Sequence, residues 1–211
     1  MQGLDDVIAA DTVLSEVDGQ AGRLVIRGRS LDELAGAARF EDVVRLLWQG
    51  FLDSLPDDLG PMLGAARAKI FSEIGGATAL GPYDEMRVLT ARLDDGADLQ
   101  TAIRLLAAPA VFATAALRRR AGLQPIAPDP SLGHAADILH MLSGQTPARE
   151  QTTALDVYLV TVCDHGLNAS TFAARVIAST ASASAKRALE PAAESRSAAA
   201  FSASARGSRT R

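Results

Sequence analysis

With 211 residues, 48% of them apolar and only 4% aromatic, the chain has enough material for one core or two small ones, and its Ala- and Leu-rich makeup favours helix over sheet. No run of about 18 uncharged apolar residues is present, so no membrane span is expected, and Cys163, the only cysteine, excludes an intrachain disulfide. The formal net charge of −4 divides unevenly: residues 1–180 carry 15 Lys+Arg against 23 Asp+Glu, whereas residues 181–211 carry 6 against 2.

The N-terminal MQGLDDVIAADTV is acidic and lacks the basic-then-apolar order of a secretory signal, and the lone Cys163 on an apolar stretch suggests a cytoplasmic protein. Asp18-Gly19 signals a turn, and Leu24-Val25-Ile26 reads as a short strand between glycines, so a small hairpin is expected here. Ser30 and Glu33 have the spacing of a capping box, which predicts a short helix to about Ala38. Phe40, Val43, Val44, Leu46, Leu47 and Trp48 then fall at helical spacing, with Gly50 as the stop. Trp48 lies on that apolar stripe and reads as core packing rather than as a stacking platform for a ligand.

Asp57-Asp58 open an expected helix bearing Leu59, Met62, Leu63, Ala66, Ile70 and Ile74, closed by Gly75-Gly76. Another is expected from Pro82 to about Leu93. Residues 98–120 read as a long helix that Pro109 should kink or split. Its end, Arg118-Arg119-Arg120, reads as a solvated terminus whose cations suit the helix dipole, and no basic face with interleaved aromatics points to nucleic acid. A helix over 131–143 follows. His134 and His140 are six residues apart, so they do not form an i,i+4 ligand pair, and no metal site is expected.

The stretch LDVYLVTVCDHGLNASTFAARVIAST, residues 155–180, reads as helix, polar break, helix. Leu155, Val157, Tyr158, Leu159, Val160 and Val162 are apolar nearly all round, which predicts a core position. Cys163 on that helix reads as a buried structural thiol. Asp164-His165-Gly166 breaks the run, and Asn168 and Ser170 are both N-cap candidates for a second helix carrying Phe172, Val176 and Ile177. An imidazole beside a helix N-terminus suits a small carboxylate, although a lone histidine between helices is more often structural. The tail after Thr180 contains 11 Ala and 7 Ser, with Leu189 and Phe201 its only large apolar residues; it has little to bury and is expected to be disordered.

DHGLNASTFAARVIAST resembles the signature of the citrate synthase family, the citrate and 2-methylcitrate synthases. GLDDVIAADTVLSEVDGQAGRLVIRG and FEDVVRLLWQG are similar to that family's N-terminal segment and to its helix ending in WxG. The likeness covers roughly residues 3–180. It implies a mainly α fold, with residues 1–180 forming part of the large helical domain behind a small N-terminal β-hairpin. It further implies the acyl transfer of the tricarboxylic acid cycle, in which acetyl-CoA or propionyl-CoA condenses with oxaloacetate to give citrate or 2-methylcitrate and CoA. The acyl-CoA is a substrate, and no other cofactor is implied.

By position, His165 is similar to the family histidine that binds oxaloacetate, and Ser170 to a residue supporting a catalytic histidine. The expected substrate contacts are therefore His165, with Asn168 and Ser170 as supports. The family's glycine-flanked catalytic histidine and its catalytic aspartate have no counterpart, since no His or Asp follows His165. The change to Ala/Ser/Arg composition reads as a reading-frame change or an alternative end. An incomplete enzyme, inactive alone, is the leading expectation; a catalytically dead helical interaction protein and the remnant of a damaged gene are the alternatives. The expected association is a homo-oligomer or an aggregate, with no nucleic acid and no membrane as partner.

Overall fold

The computed structural model describes residues 12–52, 54–164, 166 and 169–180. Among these residues lie three short strands and eight helices. The expected tail at 181–211 lies outside them.

The hairpin forms where the turn signal places it. Strands β1 (Ser15–Asp18) and β2 (Arg23–Ile26) pair antiparallel, with Ser15 opposite Ile26, and β3 (Arg29–Ser30) adds to β2. The Asp18 carboxylate accepts the Gln20 and Ala21 N–H groups, so the side chain itself organises the reversal. The capping box is present: Ser30 Oγ accepts from Glu33 N at 3.3 Å, and the Glu33 carboxylate accepts from Ser30 N at 2.7 Å. The helix it starts, α1 (Leu31–Leu34), is shorter than expected, because Gly36 takes a left-handed conformation at φ +83°.

Helices α3 (Gly60–Phe71), α4 (Pro82–Thr90) and α6 (His134–Ser143) pack on α5 (Leu99–Arg120), and α2 (Phe40–Trp48) packs on α6. Trp48 packs against a core of Phe40, Val44, Leu59, Leu63, Ile103 and Ala107. A second core gathers Ile70, Leu89, Ala108, Val111, Phe112 and Met141. Of the two outcomes expected at Pro109, a kink or a split, the split is excluded: α5 runs through it as one 22-residue helix. Proline in a helix costs about 3 kcal/mol, but α5 buries Ile103, Ala107, Ala108, Val111, Phe112, Ala115 and Ala116 on both sides of it. Burial on that scale outweighs one missing hydrogen bond. By length and composition α5 alone among the described residues would suffice to cross a membrane, yet these side chains face α3, α4 and α6.

The arginines at its end are a second correction. The Arg118 guanidinium donates to the Leu142 and Gln124 carbonyls, both at 2.6 Å. Arg119 donates to Glu85 at 2.6 Å and to the Gly75 carbonyl at 2.5 Å. Arg118 and Arg119 are clasps between α5 and its neighbours, not solvated cations, whereas Arg120 is exposed as expected. The targets of Arg118 and Arg119 lie 6 to 45 residues away, so helix-end statistics say nothing about them.

Helix α7 (Arg149–Thr161) starts directly after the Gly144–Pro147 turn. Only Val160 is fully buried, joining Ile26, Leu34 and Val43 in a third core, whereas Tyr158 and Val162 are 60% and 49% exposed. The expected all-round burial is thus corrected: α7 packs on α2 and α6 along one side. Its Asp156 carboxylate accepts the Phe40 N–H at 3.1 Å and so caps α2 from another helix. Partial burial raises the pKa of this carboxylate. Helix α8 (Ala169–Thr180) leaves Phe172, Val176 and Ile177 46%, 49% and 69% exposed.

Beneath these contacts lies a buried polar cluster. Arg67 of α3, with no exposed surface, donates from Nε to Asp137 at 2.5 Å and from Nη2 to the Leu132 carbonyl at 2.7 Å. Its Nη1 lies 3.3 Å from His134 Nδ1. A guanidinium can only donate, so Nδ1 accepts and the ring proton sits on Nε2. Glu41 of α2 accepts the His134 backbone N–H at 2.6 Å, and the imidazole stacks on Phe40. Burial first, and the Arg67 charge second, push the His134 pKa from 6.5 down to about 3. The unfolded chain therefore binds a proton near pH 6.5 that the folded chain refuses until about pH 3. Stability from this group is present above pH 6.5 and is lost as pH falls, by about 1.4 kcal/mol per unit, or roughly 2 kcal/mol at pH 5. Urea unfolding at pH 7 and pH 5 should show this difference, and His134→Gln should remove it; equal stabilities at both values in the parent protein would contradict it.

Candidate functional site

The polar break between α7 and α8 is held by its own aspartate. Asp164 Oδ1 accepts the Gly166 N–H at 2.9 Å, an Asx turn across position 165. The same oxygen accepts the Ser15 hydroxyl of β1. Gly166 has φ +84°, a conformation that side chains resist, and a Cβ there would come within 3.2 Å of Val17 Cγ2. The backbone conformation thus calls for glycine, and a side chain there would also press on Val17 of the strand lying against it.

Cys163, just before the turn, is half-buried and packs against the third core. Burial, with the neighbouring Asp164 charge behind it, raises its thiol pKa. The group is therefore held in its unreactive form, in keeping with a structural role, though it is less enclosed than expected. Of the expected substrate contacts, His165 and Asn168 lie outside the described residues. Ser170 is the second residue of α8 and is exposed, so it is not that helix's cap.

An open depression of about 690 Å³ runs along α4 against Pro109, and one of about 520 Å³ lies beside Arg119 and Pro125. Neither includes a residue of the turn. His134 and His140 sit on α6. Among the described residues, no three of His, Cys, Asp or Glu gather as metal ligands. What the sequence reading missed here is Ser15, whose hydroxyl reaches across 149 residues of chain; nothing in the spacing signals such a partner.

The family model described as citrate synthase, C-terminal domain, matches residues 3–187. A citrate synthase of Haloferax volcanii is 37% identical over 202 residues, which cover 86% of this chain and 53% of that protein. A 2-methylcitrate synthase of Mycobacterium tuberculosis is 33% identical, covering 86% of this chain and 50% of its own length. The crystal structure of citrate synthase from Thermotoga maritima superimposes with a TM-score of 0.70 at 26% identity, over 88% of this chain and 52% of that one. The chain spans about half the length of the curated relatives it matches.

Proposed function

The chain belongs to the citrate synthase family, and on that premise we propose that its 211 residues supply the oxaloacetate-contacting part of a site for condensing acyl-CoA with oxaloacetate. His165 is the contact, and Asn168 and Ser170 are its supports. The observation that carries this reading is the string DHGLNASTF at the junction of α7 and α8, with its turn tied down by Asp164. A histidine beside the first turn of α8 suits a carboxylate, because free backbone N–H groups and the helix dipole favour an anion there.

These residues do not turn over by themselves. The family reaction needs a base within hydrogen-bond reach of the thioester α-proton, and a donor for the enol. The sequence holds no His or Asp after His165 to fill those roles. One imidazole also makes a poor clamp for a dicarboxylate, whose second carboxylate wants the fork of an arginine. Oxaloacetate binding should therefore be weak or absent by calorimetry. Incubated with oxaloacetate and either acetyl-CoA or propionyl-CoA, the purified chain should release no free thiol to DTNB beyond a His165→Ala control. Thiol release above that control from a monodisperse sample would refute the incomplete-site reading.

The second reading is a helical interaction protein without catalysis, working in the cytoplasm as a homo-oligomer. The exposure of Tyr158, Val162 and Phe172 favours it, since large apolar groups left wet promote association. Size-exclusion chromatography separates this reading from a damaged remnant: a discrete assembly supports interaction, and a heterogeneous aggregate does not.

A further inference from the structure

We propose that residues 75–80, between α3 and α4, form a hinged strap closed by the Arg119–Glu85 pair, and that its opening joins the two surface depressions into one trough. The depressions of about 690 and 520 Å³ share this segment as a wall: Leu80 borders the first, and Gly75, Gly76 and Ala77 border the second. They also share a floor. Met86 in the first, with Phe71 and Ile74 in the second, packs against the core of Ile70, Leu89 and Phe112.

Residues 75–80 are exposed throughout. A Cβ added at Gly75 or Gly76 would meet nothing within 4 Å, so no neighbour braces the backbone there. Among the described residues, the hydrogen bonds that tie the strap to the rest of the fold run to two side chains. Arg119 donates to the Gly75 carbonyl, and to the Ile74 carbonyl just ahead of it at 3.3 Å. Glu85 accepts the Thr78 hydroxyl at 2.7 Å. Arg119 and Glu85 in turn hold each other at 2.6 Å, with side chains only 13% and 4% exposed. A segment with few buried contacts and one point of attachment opens at a lower free energy than the whole domain unfolds. Gly75, at φ +59°, and its neighbour Gly76 give the backbone freedom for the swing.

The test uses the full chain and thermolysin, which cuts before large apolar residues and so reads the opening at the bond preceding Leu80. Where reclosing outpaces cutting, the cleavage rate follows the open population. In the parent it should depend on urea far more weakly than global unfolding does, because a short segment exposes little surface. Thr78→Val removes the hydroxyl bond to Glu85 and leaves the Arg119–Glu85 pair whole. It should speed the cut about fivefold, the effect of losing one ordinary hydrogen bond, and Thr78→Ser should restore the parent rate. Gly76→Ala should slow it roughly two- to fivefold by stiffening the hinge. The trough is read with ANS as an apolar probe. Its apparent affinity scales with the open fraction, so it should tighten in Thr78→Val and weaken in Gly76→Ala. Cleavage with the full urea dependence of global unfolding, or a rate unmoved by both substitutions, would overturn the strap. A cleavage rate that responds while ANS affinity stays fixed would overturn the trough.

Discussion

Arg67→Ala is expected to lower the unfolding free energy by about 3–5 kcal/mol, the range seen when one partner of a buried ion pair is removed. Neither Arg67 nor Asp137 has any exposed side-chain surface. After the substitution Asp137 would keep only the Asp129 N–H, at 2.9 Å, as a described donor. The Leu132 carbonyl and His134 Nδ1 would lose theirs. For a domain stabilised by about 5–15 kcal/mol in total, this is a large fraction of the margin. Arg67→Lys should recover less than half of the loss, because one ammonium cannot reach three acceptors arranged for a planar fork. Replacing the pair together, Arg67→Met with Asp137→Leu, should recover more, since it removes the stranded charge along with the missing partner. Urea midpoints for the three variants check the order. An Arg67→Ala protein within 1 kcal/mol of the parent would show that water satisfies Asp137 and that the cluster is not a keystone of the α3–α6 contact.

That cluster also marks the limit of what the sequence discloses. Local chemistry was legible: the Asp18 turn, the Ser30–Glu33 box and the α2 stripe each depend on residues within a few positions of one another, and each formed where expected. The signal for Arg67 was present and unused. It falls four residues after Leu63 and three before Ile70, on the stripe that enters the core; a charge there implies a buried partner. Its partner Asp137 is 70 residues away, and no periodicity names it. The same distance blindness hid the reach of Ser15 to Asp164 and of Arg119 to Glu85. The split offered as one outcome at Pro109 failed differently. The local penalty was read correctly, but the burial along α5 that overrides it is a sum over three other helices. At the site, the Asp164–Gly166 turn was legible from Asp-His-Gly. The exposed, one-sided packing of α7 was not, since apolar composition does not say which neighbours are present.

Gly64→Ala should be strongly destabilising at a position where the same change would ordinarily help. Glycine inside a helix costs roughly 0.5–1 kcal/mol relative to alanine, so replacement in an open helix is stabilising. At position 64 an added Cβ would lie 2.2 Å from the Pro130 carbonyl oxygen and 2.9 Å from its carbon. Relief needs a separation of about 1 Å between α3 and the loop before α6, against packing that resists even one extra methylene. That loop cannot easily give way. The Asp129 N–H is held by Asp137, the Ser131 N–H and hydroxyl by Asp129, and the Leu132 carbonyl by Arg67. Overpacking of this kind costs about 1–3 kcal/mol and sometimes more, and the backbone nature of the obstacle places Gly64→Ala at the upper end. The coupling to Arg67 gives the sharper reading. Once Arg67→Ala has released the Leu132 carbonyl, the loop can move away from α3, and adding Gly64→Ala should cost about 0.5–3 kcal/mol less than it does in the parent. A double-mutant cycle in urea measures that difference. Strict additivity would mean that the clash is absorbed within α3, and that the Arg67 cluster and the Pro130 contact act independently.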